Sequence, residues 1–217
     1  MDDFYIIHAL DETTSFLEVF KSEFPQNYHV FLPAEISKKE ILELLKSIPD
    51  NSLILFLGHG HSTGLYGPEG IDFPQNIFID SESGNVLFKE KKVILLSCNS
   101  NQFVTRLNTH KEILGFGNIL SSMEQLRNEV ENGARDNYGT LSKEDIDYFN
   151  AIYCTAIIKA IKETIPTSIY TLKSIKKIIE FFINKELNFL LKNKQITKEF
   201  ASLLFSFRND MVLKIAY

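Results

Sequence analysis

Tryptophan is absent from the 217 residues, and cysteine occurs only twice. Cys98 and Cys154 cannot supply the disulfide framework of a small secreted domain, and neither belongs to a Cys-x-x-Cys metal site. Long apolar runs are missing as well: none approaches the roughly 20 residues that a membrane-spanning helix requires. Met1-Asp2-Asp3 opens the chain with acid, without the basic and apolar regions of a signal peptide. A cytoplasmic protein with reduced thiols and no membrane contact is therefore expected. Basic charge is also in short supply, with 23 Lys and Arg against 28 Asp and Glu, a formal net charge of −5. Non-specific nucleic-acid binding, which needs a basic surface to displace counterions, is not expected. The basic cluster Lys173–Lys177 is followed by Glu180 and Glu186 and reads as a solvated helix face.

What remains is a Phe-rich sequence (18 Phe) that is 44% hydrophobic, enough for a substantial core. No internal repeat, low-complexity tract or linker interrupts it, so a single domain over 1–217 is expected. Phe4–Ala9 and Tyr28–Leu32 read as strands. Between them, Ser15 and Glu18 form a capping-box pattern for a helix running to about Phe24. Ser37 opens a second helix through Ile41, Leu44, Leu45 and Ile48. Ser52–Leu57 and Val93–Leu96 are apolar along their length, as in parallel strands covered on both faces. The stretch Gly58–Lys92 between them is loop-rich, with a hairpin expected around Ser83-Gly84-Asn85. A short crossover at Gln102–His110 leads to a strand at Glu112–Phe116.

The second half reads as mainly helical: Met123–Val130, a helix from the Ser142–Asp145 start through Lys162, Leu172–Leu191 and Thr197–Phe207. Asn132-Gly133 and Tyr138-Gly139 mark turns in the polar stretch Glu131–Thr140. Asp210–Tyr217 offers a closing strand. The fold class is thus α/β, with residues 1–120 as the sheet core and 121–217 as a helical remainder.

In an open parallel sheet the crevice for ligands lies beyond the carboxyl ends of the strands. Ser52–Leu57 runs into Gly58-His59-Gly60-His61, and Val93–Leu96 runs into Ser97-Cys98-Asn99-Ser100. If the strands are neighbours, His59 and Cys98 face one crevice. A cysteine there is a nucleophile, and an imidazole can take its proton or protonate a leaving amine. The N–H groups of Gly60 and Cys98 are candidate oxyanion donors.

Leu53-Ile-Leu-Phe-Leu-Gly-His59-Gly60-His-Ser-Thr-Gly64-Leu-Tyr66-Gly67 resembles the histidine motif of the caspase-like (clan CD) cysteine peptidases. Val93-Ile-Leu-Leu-Ser-Cys98-Asn-Ser resembles their cysteine strand, nearest to the prokaryotic CHAT branch. Ile113-Leu-Gly-Phe116 and Met211-Val-Leu-Lys resemble later strands of that branch. The resemblance implies a three-layer sandwich with a mostly parallel central sheet flanked by helices. It implies Cys98 as nucleophile and His59 as acid–base group of a dyad whose histidine is oriented by a backbone carbonyl. It further implies a protein or peptide substrate, no cofactor, and an effector role in antiphage or stress responses, released by an activating protein or small signal molecule. Gly70–Lys92 and Glu131–Thr140 are the loops where such activation would act. The pentapeptide Gln-Ala-Cys-Arg-Gly of caspases is absent, Leu96 stands where metacaspases carry an acid, and Asn99–Lys111 is too short for a cleavable linker. An uncut chain is expected.

Other readings attach to the same residues. Cys98 alone fits a small core residue at a strand end, on a caspase-like scaffold or signal-binding module without catalysis. His59-x-His61 is half a metal site, but Ser62-Thr63-Gly64 supplies no further ligand, so no metal is expected. His61 is given a substrate-side or structural role. Asp11, after the first strand, is weakly assigned to binding a basic P1 side chain, or else prepares the first helical turn. Ser121, Ser122 and Glu124 occupy another position able to line the pocket. Cys154 falls mid-helix and reads as core.

Overall fold

A computed structural model describes residues 3–131, 138, 140–167 and 170–216. Its centre is a six-stranded sheet in the order β2-β1-β3-β7-β8-β9. The strands are β1 (Phe4–Ala9), β2 (Tyr28–Phe31), β3 (Leu53–Leu57), β7 (Lys92–Leu96), β8 (Glu112–Gly115) and β9 (Val212–Ile215). Neighbours run parallel except for β9, which returns antiparallel to β8.

Side chains on a strand alternate faces, and both faces of β3 are apolar, so the sheet carries two cores. Leu53, Leu55 and Leu57 join the cluster formed with α1 (Val19–Glu23), α5 (Met123–Glu131), α6 (Lys143–Thr164), α7 (Leu172–Lys192) and α8 (Lys198–Asn209). Ile54 and Phe56 face α2 (Glu35–Ser47), α3 (Ser81–Leu87) and the turn after β7. Each fully buried Leu, Ile or Phe adds about 1.5–3 kcal/mol of transfer free energy, so both covered faces matter to stability. The result is helix on sheet on helix. A smaller antiparallel sheet, β4 (Gly60–His61), β5 (Gly64–Tyr66) and β6 (Ile77–Asp80), emerges directly from the end of β3. Among the described residues no helix is long and apolar enough to cross a membrane.

Several local expectations are corrected. The Ser15–Glu18 capping box does not form: residues 15–18 make a 3-10 turn, and the Ser15 hydroxyl donates to the Glu12 carbonyl instead. The second helix begins at Glu35 rather than Ser37, whose hydroxyl accepts from the Leu32 N–H. The hairpin expected at Ser83-Gly84-Asn85 is helix α3, started by a capping box in which Asp80 and Ser83 satisfy each other's backbone N–H groups. Gly58–Lys92 is accordingly less irregular than its composition implies, since it holds α3 and the three strands of a small sheet. The Ser142–Asp145 capping box does start α6, and the closing strand lies at Val212–Ile215. The turn expected at Asn132-Gly133 and most of the stretch 131–140 lie outside the described residues.

Candidate active site

Pairing of β3 with β7 sets the site. Leu57 is opposite Leu96, and the same offset of 39 residues carries His59 and Cys98 to matching positions just beyond the strand ends. The Gly58 N–H, 3.4 Å from the Leu96 carbonyl, extends this ladder. Gly58 has φ +152°, outside the range open to most L-residues, and a Cβ there would lie 2.9 Å from that of Ala9. This is where the chain leaves the sheet and turns into the histidine loop.

The two loops then touch. A Cβ on Gly60 would sit 2.5 Å from Ser97 Oγ and 2.9 Å from the Cys98 carbonyl oxygen, so only glycine fits this approach. Residues 60 and 98, the expected oxyanion donors, are therefore next to one another. Beside them a cleft is lined by both His59 and Cys98, together with Phe16, Leu17, Ile119 and Tyr153. Cys98 is partly exposed, and its thiol donates to the Ile119 carbonyl at 3.1 Å. Cys154, in contrast, is buried in α6, and burial pushes its thiol up.

The histidine is held differently from the arrangement implied by the family resemblance. His59 Nε2 lies 3.1 Å from Asp11 Oδ2 and 2.8 Å from Thr13 Oγ1, so a carboxylate and a hydroxyl orient it instead of a backbone carbonyl. Both partners can accept, so Nε2 carries the hydrogen and Nδ1 is left as the basic nitrogen. Asp11 also accepts from the N–H groups of Thr13, Thr14 and Glu69 and from the Thr13 hydroxyl. Burial works to raise its pKa, but the hydrogen bonds from His59, Thr13 and Glu69 outweigh it and hold the carboxyl well below the usual carboxylate range. Its side chain is only 5% exposed and is turned to His59. Asp11 thus orders the turn after β1, as one reading of the sequence has it, and the expected basic-P1 contact finds its carboxylate already engaged.

His61 sits on the β4–β5 hairpin, exposed, with its ring toward the hydroxyls of Ser62 and Thr63. Among the described residues no three His, Cys, Asp or Glu side chains gather in a way that could hold a metal ion. Ser121 lines the cleft, whereas Ser122 and Glu124 do not. Phe16, from the 3-10 turn, Gln125, from α5, and Tyr153, from α6, also line it, and no local sequence pattern marks them. No family model matches the chain, and no curated protein matches it.

Behind the site lies a buried polar chain. His8 is fully buried in β1, bonded through Nε2 to the Thr14 carbonyl at 3.1 Å and through Nδ1 to the Tyr28 hydroxyl. Burial pushes His8 down to about 4, against the raising pull of the Thr14 carbonyl and Asp11. His110, also buried, is lowered to about 4 by burial and by Lys214. Between pH 6.5 and 4 the unfolded chain binds protons at these histidines that the folded chain does not. Stability therefore rises with pH across that window and is lost on acidification. A shift of this size corresponds to about 3 kcal/mol per histidine at most. Urea titrations are expected to show the unfolding free energy falling from about pH 6.5 to pH 4, and falling further below as the Asp11 carboxyl takes its proton; a flat profile would contradict the assignment.

Proposed function

We propose that this chain is a caspase-like cysteine endopeptidase, nearest to the CHAT branch of clan CD, with Cys98 as nucleophile and His59 as acid–base group. The observation that carries the reading is that both side chains line one cleft from matching positions beyond β3 and β7. The three-layer arrangement and the antiparallel closing strand agree with the architecture the resemblance implies. The peptide carbonyl would be attacked by Cys98, with N–H groups of residues 60 and 98 holding the oxyanion, each such donor typically worth ~2.7–4 kcal/mol. Asp11 is a positioning residue: it fixes the His59 ring and favours the imidazolium formed during acylation.

The thiol's hydrogen bond to Ile119 favours a resting enzyme, and agrees with release by a protein or small signal molecule in a cytoplasmic defence or stress response. It equally fits the second reading, a caspase-like scaffold or signal-binding module with an inert cysteine. Alkylation separates the two. A peptide bearing an electrophilic carbonyl-side warhead is expected to modify Cys98, located by mass spectrometry of the intact chain and its fragments. In His59→Ala the rate should drop about 100-fold or more, a typical share for acid–base assistance. Equal rates in the two proteins would leave the scaffold reading.

A further inference from the structure

The chemistry of the cleft wall defines a substrate class, and this inference rests on the peptidase reading above. Besides His59 and Cys98, the wall is built from Phe16, Leu17, Leu96 and Ile119, with Thr14, Ser121 and Gln125 among its polar members. None of its lining residues is a carboxylate, lysine or arginine. Asp11, the nearest acid, is spent on His59. A charged side chain entering the cleft would lose its water without meeting a counter-ion, which is costly. The cleft is also small, with an open volume of about 20 Å3, room for about one water molecule.

One polar group points to a hydrogen-bonding ligand rather than a purely apolar one. The Gln125 Oε1 accepts from both the N–H and the hydroxyl of Ser121, which fixes the amide and leaves its NH2 donors available. The Ser97 hydroxyl is fully buried against Gly60 and takes no part.

We propose that this cleft is the P1 pocket and that it selects a small, uncharged residue, alanine or serine, immediately before the scissile bond. Specificity is then set by Phe16 and Leu17, which limit size, and by Gln125, which meets a hydroxyl or the water beside a methyl group.

The test uses the full chain and a series of peptidyl chloromethyl ketones differing only at P1: Ala, Ser, Leu, Asp and Lys. Formation of the thioether at Cys98 is followed by mass spectrometry. Ala and Ser are expected to react at least about 100-fold faster than Asp and Lys, and faster than Leu. In Phe16→Ala the wall that limits size is cut back, and reaction with the Leu probe should rise about tenfold or more relative to Ala. Asp, Lys or Leu reacting as fast as Ala in the wild type overturns the proposal, as does an unchanged Leu-to-Ala ratio in Phe16→Ala. Iodoacetamide separates the two levels of failure. If it alkylates Cys98 in a His59-dependent way while no Ala or Ser probe does, the pocket assignment alone falls. If its rate is the same in His59→Ala and no probe reacts, the peptidase reading falls with it.

Discussion

Cys98→Ala is expected to reduce peptide hydrolysis by at least about 10,000-fold, the scale on which loss of a covalent nucleophile is felt. In the proposed reaction the Cys98 proton passes to His59 Nδ1 as the S–C bond forms. The tetrahedral adduct then collapses as the C–N bond breaks, and the imidazolium returns its proton to the departing amine. Water, deprotonated by the same nitrogen, opens the thioester and regenerates the thiol. Without sulfur neither half of the sequence can run, and the remaining oxyanion donors can only assist direct attack by water. Alanine removes one atom from a residue at the cleft surface, so folding should be unaffected and far-ultraviolet circular dichroism unchanged. The measurement is the hydrolysis rate of a fluorogenic peptide with alanine at P1, wild type against variant, under the condition that activates the wild type. Equal rates would place the activity elsewhere on the chain.

The second large effect concerns Asp11→Asn. A carboxamide keeps the size of the side chain and can still accept a hydrogen bond from His59, but it carries no charge to stabilise an imidazolium. It can also present its NH2 to His59 Nε2 and so stabilise the wrong tautomer. Where a buried carboxylate orients a catalytic histidine, this exchange lowers kcat by up to about 10,000-fold. The Asp11 interaction is shared with the Thr13 hydroxyl, so a fall of about 100- to 1,000-fold is expected here. KM should change little, because the carboxylate is turned away from the cleft. A purely structural Asp11 would change stability while leaving kcat per folded molecule unaltered. That outcome would restore a dyad with no side-chain acid.

The strands and the two reactive loops were legible because their signals are local. Leu53–Leu57 and Val93–Leu96 are continuous apolar runs, and each is followed two residues on by a candidate reactive residue. Asp11 was legible as a turn residue but not as the partner of His59. That contact spans 48 positions and depends on β1 lying next to β3, a pairing the sequence does not spell out. The α3 helix was misread because Ser-Gly-Asn is ordinarily a turn signal. Gly84 is there for a different reason: a Cβ would come within 2.9 Å of the Leu107 side chain, so the helix uses glycine to pack closely. The failed cap at Ser15 is the converse case. Its pattern was right, but Thr14 and Asp11 claim the hydrogen bonds of that turn to build the support for His59.

The register of β3 on β7 has a consequence for how this chain can vary. Alignment of His59 with Cys98 is imposed by strand pairing and is indifferent to the length of the excursion that joins them. Residues can be gained or lost around 74–76, beyond Glu69 and its hydrogen bond to Asp11, while His59 and Cys98 stay level. Within β3 or β7 the tolerance vanishes. A single inserted residue would exchange the two buried faces of the strand and carry one partner half a pleat past the other. Variation is thus free to accumulate on the excursion, and His59 and Cys98 are insulated from it by the hydrogen-bond ladder beneath.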